Sequence, residues 1–133
     1  VADGGSIGNE GFRNNIVRAG ACLTSKIGFS ELVAMGDPRI FQNNLFDTTN
    51  PPTALYLDEN TQTLTMPAQI DALMGTMASS TLSGDPKFMM YPADVHLNAG
   101  SPCINAGTAT GAPAADYYGR ARDAMPDIGP SEF

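Results

Sequence analysis

The hexapeptide "FQNNLF" at residues 41–46 has a near copy, "FRNNIV", at residues 12–17, 29 positions earlier (41 − 12). Both read Phe, polar, Asn, Asn, aliphatic, apolar. The side chains alternate in part. Phe12, Asn14 and Ile16 fall on one face and Arg13, Asn15 and Val17 on the other, matched by Phe41, Asn43, Leu45 and by Gln42, Asn44, Phe46. Asparagine is disfavoured in an ordinary strand interior. It becomes useful where equivalent strands stack in parallel register, because each carboxamide then bonds to the one in the next layer and buried polar groups are satisfied collectively. Asn14, Asn15, Asn43 and Asn44 are therefore expected to form a structural ladder. A spacing of 29 suits one coil of a parallel β-helix, so the two copies read as successive coils.

A second repeat agrees. "GDPRIF" at 36–41 matches "GDPKFM" at 84–89. Glycine tolerates positive φ, Asp bonds nearby backbone, and Pro fixes φ while disfavouring a helix before it, so each copy predicts a corner that launches a strand. The 48-residue separation (84 − 36) implies an insertion. That insertion holds the one good helix candidate, near 65–77, where Ile70, Leu73, Met74 and Met77 recur at helical spacing, with Thr65 as N-cap and Pro67 in the first turn. "ALYLD" at 54–58 predicts a strand, and Ser30 is read as the start of one helical turn.

Composition bounds the function. The chain has 133 residues, 42% hydrophobic, with 14 Gly and 10 Pro, which predicts one turn-rich domain rather than a disordered segment. Seven basic residues against 14 acidic give a net charge of −7. Such a chain repels nucleic acid and anionic membranes, and polyanionic sugars unless a metal ion intervenes. No apolar run reaches the roughly 20 residues a bilayer span requires. The first residue is Val1 and no signal-peptide pattern follows it, so the chain is expected to be the C-terminal part of a longer protein. Cys22 and Cys103 read either as one disulfide, suited to an extracytoplasmic protein, or as two buried thiols.

The last third carries a recognisable pattern. It runs Asp85-Pro86-Lys87-Phe88, then Asp94 to Leu97, Gly100 to Gly107 ("GSPCINAG"), Asp116 to Arg122 ("DYYGRAR") and Asp127 to Glu132 ("DIGPSE"). This resembles the C-terminal end of secreted bacterial right-handed parallel β-helix proteins of the pectate-lyase-like and choice-of-anchor repeat type. The resemblance implies coils over residues 1–90 and a capping tail over 91–133, in one domain. It is specific for fold and not for activity, since that group includes polysaccharide lyases, hydrolases and non-catalytic surface proteins. Where the family writes Asp-x-Asp-Gly, this chain has Asp116-Tyr117-Tyr118-Gly119, one carboxylate short of a calcium loop.

The chemistry-bearing residues divide as follows. Asp116, Asp127 and Glu132 are calcium candidates, weighed against pairing with Arg120, Arg122 and turn backbone. His96 has Asp94 on the same face of a strand, the pairing a general acid or base needs, yet a lone strand histidine is usually a surface residue. No Gly-x-Ser-x-Gly elbow or phosphate loop is present, and no catalytic residue is assigned. The expectation is a non-enzymatic extracellular structural or adhesive module without a cofactor other than calcium. Its partner would be the upstream part of the same polypeptide or another copy of the chain, met at an open coil edge. The competing expectations are a segment of a carbohydrate-active enzyme, either polysaccharide lyase or glycoside hydrolase, and a sugar-binding module using Asn and Tyr56, Tyr91, Tyr117 or Tyr118.

Overall fold

The computed structural model describes residues 11–19, 26–33 and 36–133. The chain is mainly β, with several small sheets and one short helix. The Phe-x-Asn-Asn copies each form two three-residue strands joined by the asparagine pair. They are β1 (Gly11–Arg13) with β2 (Ile16–Arg18), and β4 (Ile40–Gln42) with β5 (Leu45–Asp47). Asn14 and Asn43 adopt left-handed φ of 56° and 51°, which ends one strand and redirects the chain into the next sheet. Asparagine reaches this region more cheaply than most residues.

The two copies pair in parallel and in register, Phe12 with Phe41 and Ile16 with Leu45. A third copy, "ASSTLS" at 78–83, follows in β8 (Met77–Ser79) and β9 (Leu82–Gly84). Ala78 pairs with Phe41 and Leu82 with Leu45, and Ser80 takes the left-handed position at φ 56°. A third sheet joins β3 (Ile27–Ser30) to β6 (Ala54–Asp58) in parallel, with β7 (Gln62–Leu64) antiparallel beyond it. Among the described residues β1, β2 and β3 each lie at the edge of their sheet.

Three of the local expectations change. Ser30 ends strand β3 and starts no helical turn. The helix, α1 (Pro67–Asp71), covers five residues instead of 65–77. Pro67 does occupy its first turn, but the cap is Met66, and the Gln69 side-chain oxygen accepts the N–H groups of Thr65 and Met66 at 2.9 and 3.0 Å. Only the first part of the apolar periodicity is used. Ile70 is buried, Met74 is 91% exposed, Gly75 turns with φ 87°, and Met77 belongs to β8. The second Gly-Asp-Pro corner does launch a strand, β10 (Phe88–Met90). That strand pairs antiparallel with β11 (Asp94–Leu97) and is not a further parallel layer.

The core has two parts. Phe41, Phe46, Leu55, Tyr56, Leu64 and Ile70 form one cluster, against which Phe12, Val17 and Phe29 pack. Its rings interlock: Phe12 stacks on Phe41 at 5.3 Å and 14°, while Phe29 meets Phe41 edge-on at 5.3 Å and stacks on Tyr56 at 5.0 Å. Buried aromatic pairs of this kind each add about 0.5–1.5 kcal/mol beyond their area. The second cluster joins Leu45 to Leu97, Cys103 and Ile128, so β5 is buried on both faces and the tail packs against the Leu45 side. Close approach of the tail explains Gly129: a Cβ there would lie 2.6 Å from Ile16, and its φ is 104°. Among the described residues no helix is long and apolar enough to cross a membrane.

Candidate functional site

The asparagine pairs divide their work. The Asn44 side-chain oxygen accepts the Asn15 backbone N–H at 2.9 Å and the Asn15 carboxamide at 3.2 Å. Asn44 in turn donates to the Phe12 carbonyl at 2.8 Å and is fully buried. Asn14 and Asn43 do not bond to each other. Asn14 grips the tail by donating to the Thr108 carbonyl at 2.7 Å and accepting the Thr108 N–H at 2.8 Å, and Asn43 donates to the Ala106 carbonyl at 2.9 Å. In the third copy Thr81 stands in the ladder position. Its N–H is met by the Asp71 carboxylate at 3.2 Å, so the end of α1 supplies the acceptor that a further asparagine would have supplied.

The tail carboxylates are committed to tail backbone. Asp116 Oδ1 accepts the N–H groups of Tyr118 and Arg120 at 2.9 and 2.8 Å, and its Oδ2 accepts that of Glu132 at 2.8 Å. Although burial opposes it, these N–H groups and the Arg122 charge hold the Asp116 carboxyl below the usual range. Asp127 accepts the N–H groups of Asn105 and Phe133 through its two oxygens, both at 2.7 Å. Arg122, itself buried, bonds Glu132 at 3.0 Å and the carbonyls of Asp127 and Gly129 at 2.9 and 2.6 Å. The arrangement staples an irregular segment that has few backbone partners of its own.

The remaining candidates disperse. His96 Nδ1 lies 2.6 Å from Asp94 Oδ1, and its ring stacks on Tyr118 at 3.8 Å. The His96 N–H groups, backbone first, hold the partly open Asp94 carboxyl below its ordinary value. Tyr56 is buried in the core, Tyr91 lies under the Arg18 guanidinium at 4.2 Å, and Tyr117 is 80% exposed. Arg18 also pairs with its cross-strand neighbour Asp47 at 3.0 Å. A cavity of about 420 Å³ opens beside them, lined by Asn14, Asn15, Arg18, Phe88 and Tyr91. Cys103 is buried and has no disulfide partner among the described residues, and burial pushes its thiol up to about 11. Its expected partner Cys22 lies outside the described residues.

A group that the sequence reading passed over comes together at the other side of the fold. Glu31 follows β3, Asp37 sits in the first Gly-Asp-Pro corner and Asp58 ends β6. One carboxylate oxygen from each lies within 4.8 Å of the other two. Glu31 is 1% exposed. Its Oε1 accepts the Tyr56 hydroxyl at 3.0 Å, whereas Glu31 Oε2 and Asp37 Oδ1 are buried without a hydrogen-bond partner among the described residues. Burial pushes the Glu31 carboxyl up to about 8; a side-chain hydrogen bond with Asp58 that favours the protonated form adds to the shift, the Tyr56 hydroxyl opposes it, and the charges of Asp37 and Asp58 add a little more. Burial and Glu31 together drive the Tyr56 phenol far above its ordinary value. Asp37 and Asp58 line a cavity of about 480 Å³, with Glu59, Gln62 and Gln69 on its walls. The only sequence signal was the Asp of the corner motif; the other two acids are brought to it by the Ser30–Leu57 register.

Comparison with protein-family models, with curated proteins and with solved structures returns no match for this chain.

Proposed function

We propose that the chain is a non-enzymatic structural or adhesive module of a secreted or surface-attached bacterial protein, built as the end of a right-handed parallel β-helix. The observation that carries this reading is the register of Phe12, Phe41 and Ala78, three copies of one strand–corner–strand unit in parallel neighbouring positions. A unit of this kind buries its apolar face only against its neighbours. The carboxylates of the C-terminal pattern serve the same end, since Asp116, Asp127 and Glu132 hold the tail over Leu45. Calcium at those three residues would have to compete with the N–H donors and Arg122 that already occupy them. The edges of β1, β2 and β3 are the surface at which a further strand would add, from the same polypeptide or from another copy of the chain.

Incubation with a polysaccharide panel, followed for unsaturated or reducing products, tests the reading together with light scattering across a concentration series. The expected result is no product, with self-association through the open edge. Turnover of any member of the panel would overturn the non-enzymatic reading. A second reading, sugar binding without turnover, is favoured by the cavity in which Arg18 and Tyr91 stand beside Asn14 and Asn15. Retention on a polysaccharide column, lost on Tyr91→Ala, would establish it.

A further inference from the structure

We propose that Glu31, Asp37 and Asp58 form a binding site for a divalent, oxygen-preferring cation of the calcium class. The site is separate from the tail carboxylates and independent of the structural role proposed above. Three features carry it. The three acids come from separate places in the chain and present one oxygen each within a span of 4.8 Å. Calcium binds oxygen at about 2.3–2.6 Å, so two ligands on opposite sides of one ion stand up to about 5 Å apart. The span is therefore one that a single ion fills.

The second feature is the pair of orphaned oxygens. Glu31 is 1% exposed and its Oε2 has no hydrogen-bond partner among the described residues, nor has the buried Oδ1 of Asp37. Buried carboxylate oxygens are costly when unpaired, whereas the carboxylates of Glu132 and Asp47 are each met by an arginine. A cation supplies what is missing. The third feature is access. Asp37 and Asp58 border the 480 Å³ cavity, which admits an ion with its remaining waters and offers further oxygens on Glu59, Gln62 and Gln69. The donor set is all oxygen, with no imidazole or thiolate, which selects calcium, magnesium or manganese over zinc or copper.

Tyr56 provides the means of detection, since its hydroxyl lies 3.0 Å from Glu31 Oε1 and its ring is an energy donor for bound terbium. The intact chain is stripped with chelator and titrated with calcium chloride while thermal unfolding is followed, and separately with terbium chloride while tyrosine-sensitised emission is followed. Calcium is expected to raise the midpoint by several degrees, because an ion bound to the native state alone stabilises it. Terbium emission is expected to rise and to be quenched by excess calcium. Glu31→Gln and Asp37→Asn abolish both responses. Tyr56→Phe loses most of the emission but keeps the calcium-induced rise in midpoint. No response to calcium, magnesium or manganese in the intact chain overturns the proposal. So does a response that persists in both Glu31→Gln and Asp37→Asn, which would place the ion on other carboxylates.

Discussion

Asn15 and Asn44 are joined through one atom, the Asn44 side-chain oxygen, which accepts both N–H groups that Asn15 directs at it. The link spans two layers and is buried at Asn44. Asn44→Ala would leave the Asn15 N–H and the Phe12 carbonyl without their partners, at about 1–3 kcal/mol for each buried group. Urea unfolding should show a loss of at least about 2 kcal/mol. Asn43→Gly should stay within about 1 kcal/mol of the parent, because glycine accepts the left-handed backbone and only the bond to Ala106 is lost. Equal costs for the two would mean that the ladder contributes nothing special.

The Arg122–Glu132 pair makes a different demand. Both side chains are over nine-tenths buried, so removing one partner strands a charge. Arg122→Met is expected to cost about 3–5 kcal/mol. Adding Glu132→Gln should restore a large part of that loss, because the stranded charge disappears. A double-mutant cycle in denaturant measures the coupling, and strict additivity would refute it.

Thr81 points the other way. Its hydroxyl is buried with no partner among the described residues, while its backbone N–H is held by Asp71. Thr81→Val keeps the shape and removes an unsatisfied oxygen. We expect the variant to match or exceed the parent by up to about 1 kcal/mol. A clear loss of stability would show that the hydroxyl has a partner.

Glu31 gives stability a pH dependence in chelator-treated protein. Its folded pKa is raised from 4.5 to about 8, so the native state holds a proton that the unfolded chain releases. The contribution is fully present below pH 4.5 and is lost as pH rises through about 8. The groups facing Glu31 are Tyr56, Asp37 and Asp58; since the two aspartates are partly open, we expect a fall on the order of 1 kcal/mol between pH 5 and pH 8. Glu31→Gln should flatten that slope. An unchanged slope in the variant would assign the dependence to other groups.

The parts of this fold written locally were readable from the sequence. Phe12-x-Asn14-Asn15 and Phe41-x-Asn43-Asn44 announce their pairing because bulky aromatics and corner asparagines are conspicuous. The third copy is not legible in the sequence because Ala78 replaces the aromatic ring and Ser79, Ser80 and Thr81 replace the conspicuous asparagines with small polar residues. Ser80 adopts the same left-handed turn without the residue type that signals it. The predicted helix overran because its periodicity crosses into β8, where pairing with β4 wins over helical propensity. The acidic trio was beyond reach for a different reason: residues 31, 37 and 58 meet only once β3 and β6 are in register.

The corner residues at 14, 43 and 80 separate direction from distance. From Phe12 to Phe41 the chain travels 29 residues, yet from Phe41 to Ala78 it travels 37 (78 − 41), and both journeys end in the same alignment. The additional length is accommodated by the excursion through β7 and α1. Residues added at the exposed turn of Met74 and Gly75, beyond buried Ile70 and the Asp71 that holds Thr81, should therefore be tolerated by the architecture, which makes this turn the natural place to graft a foreign peptide for display.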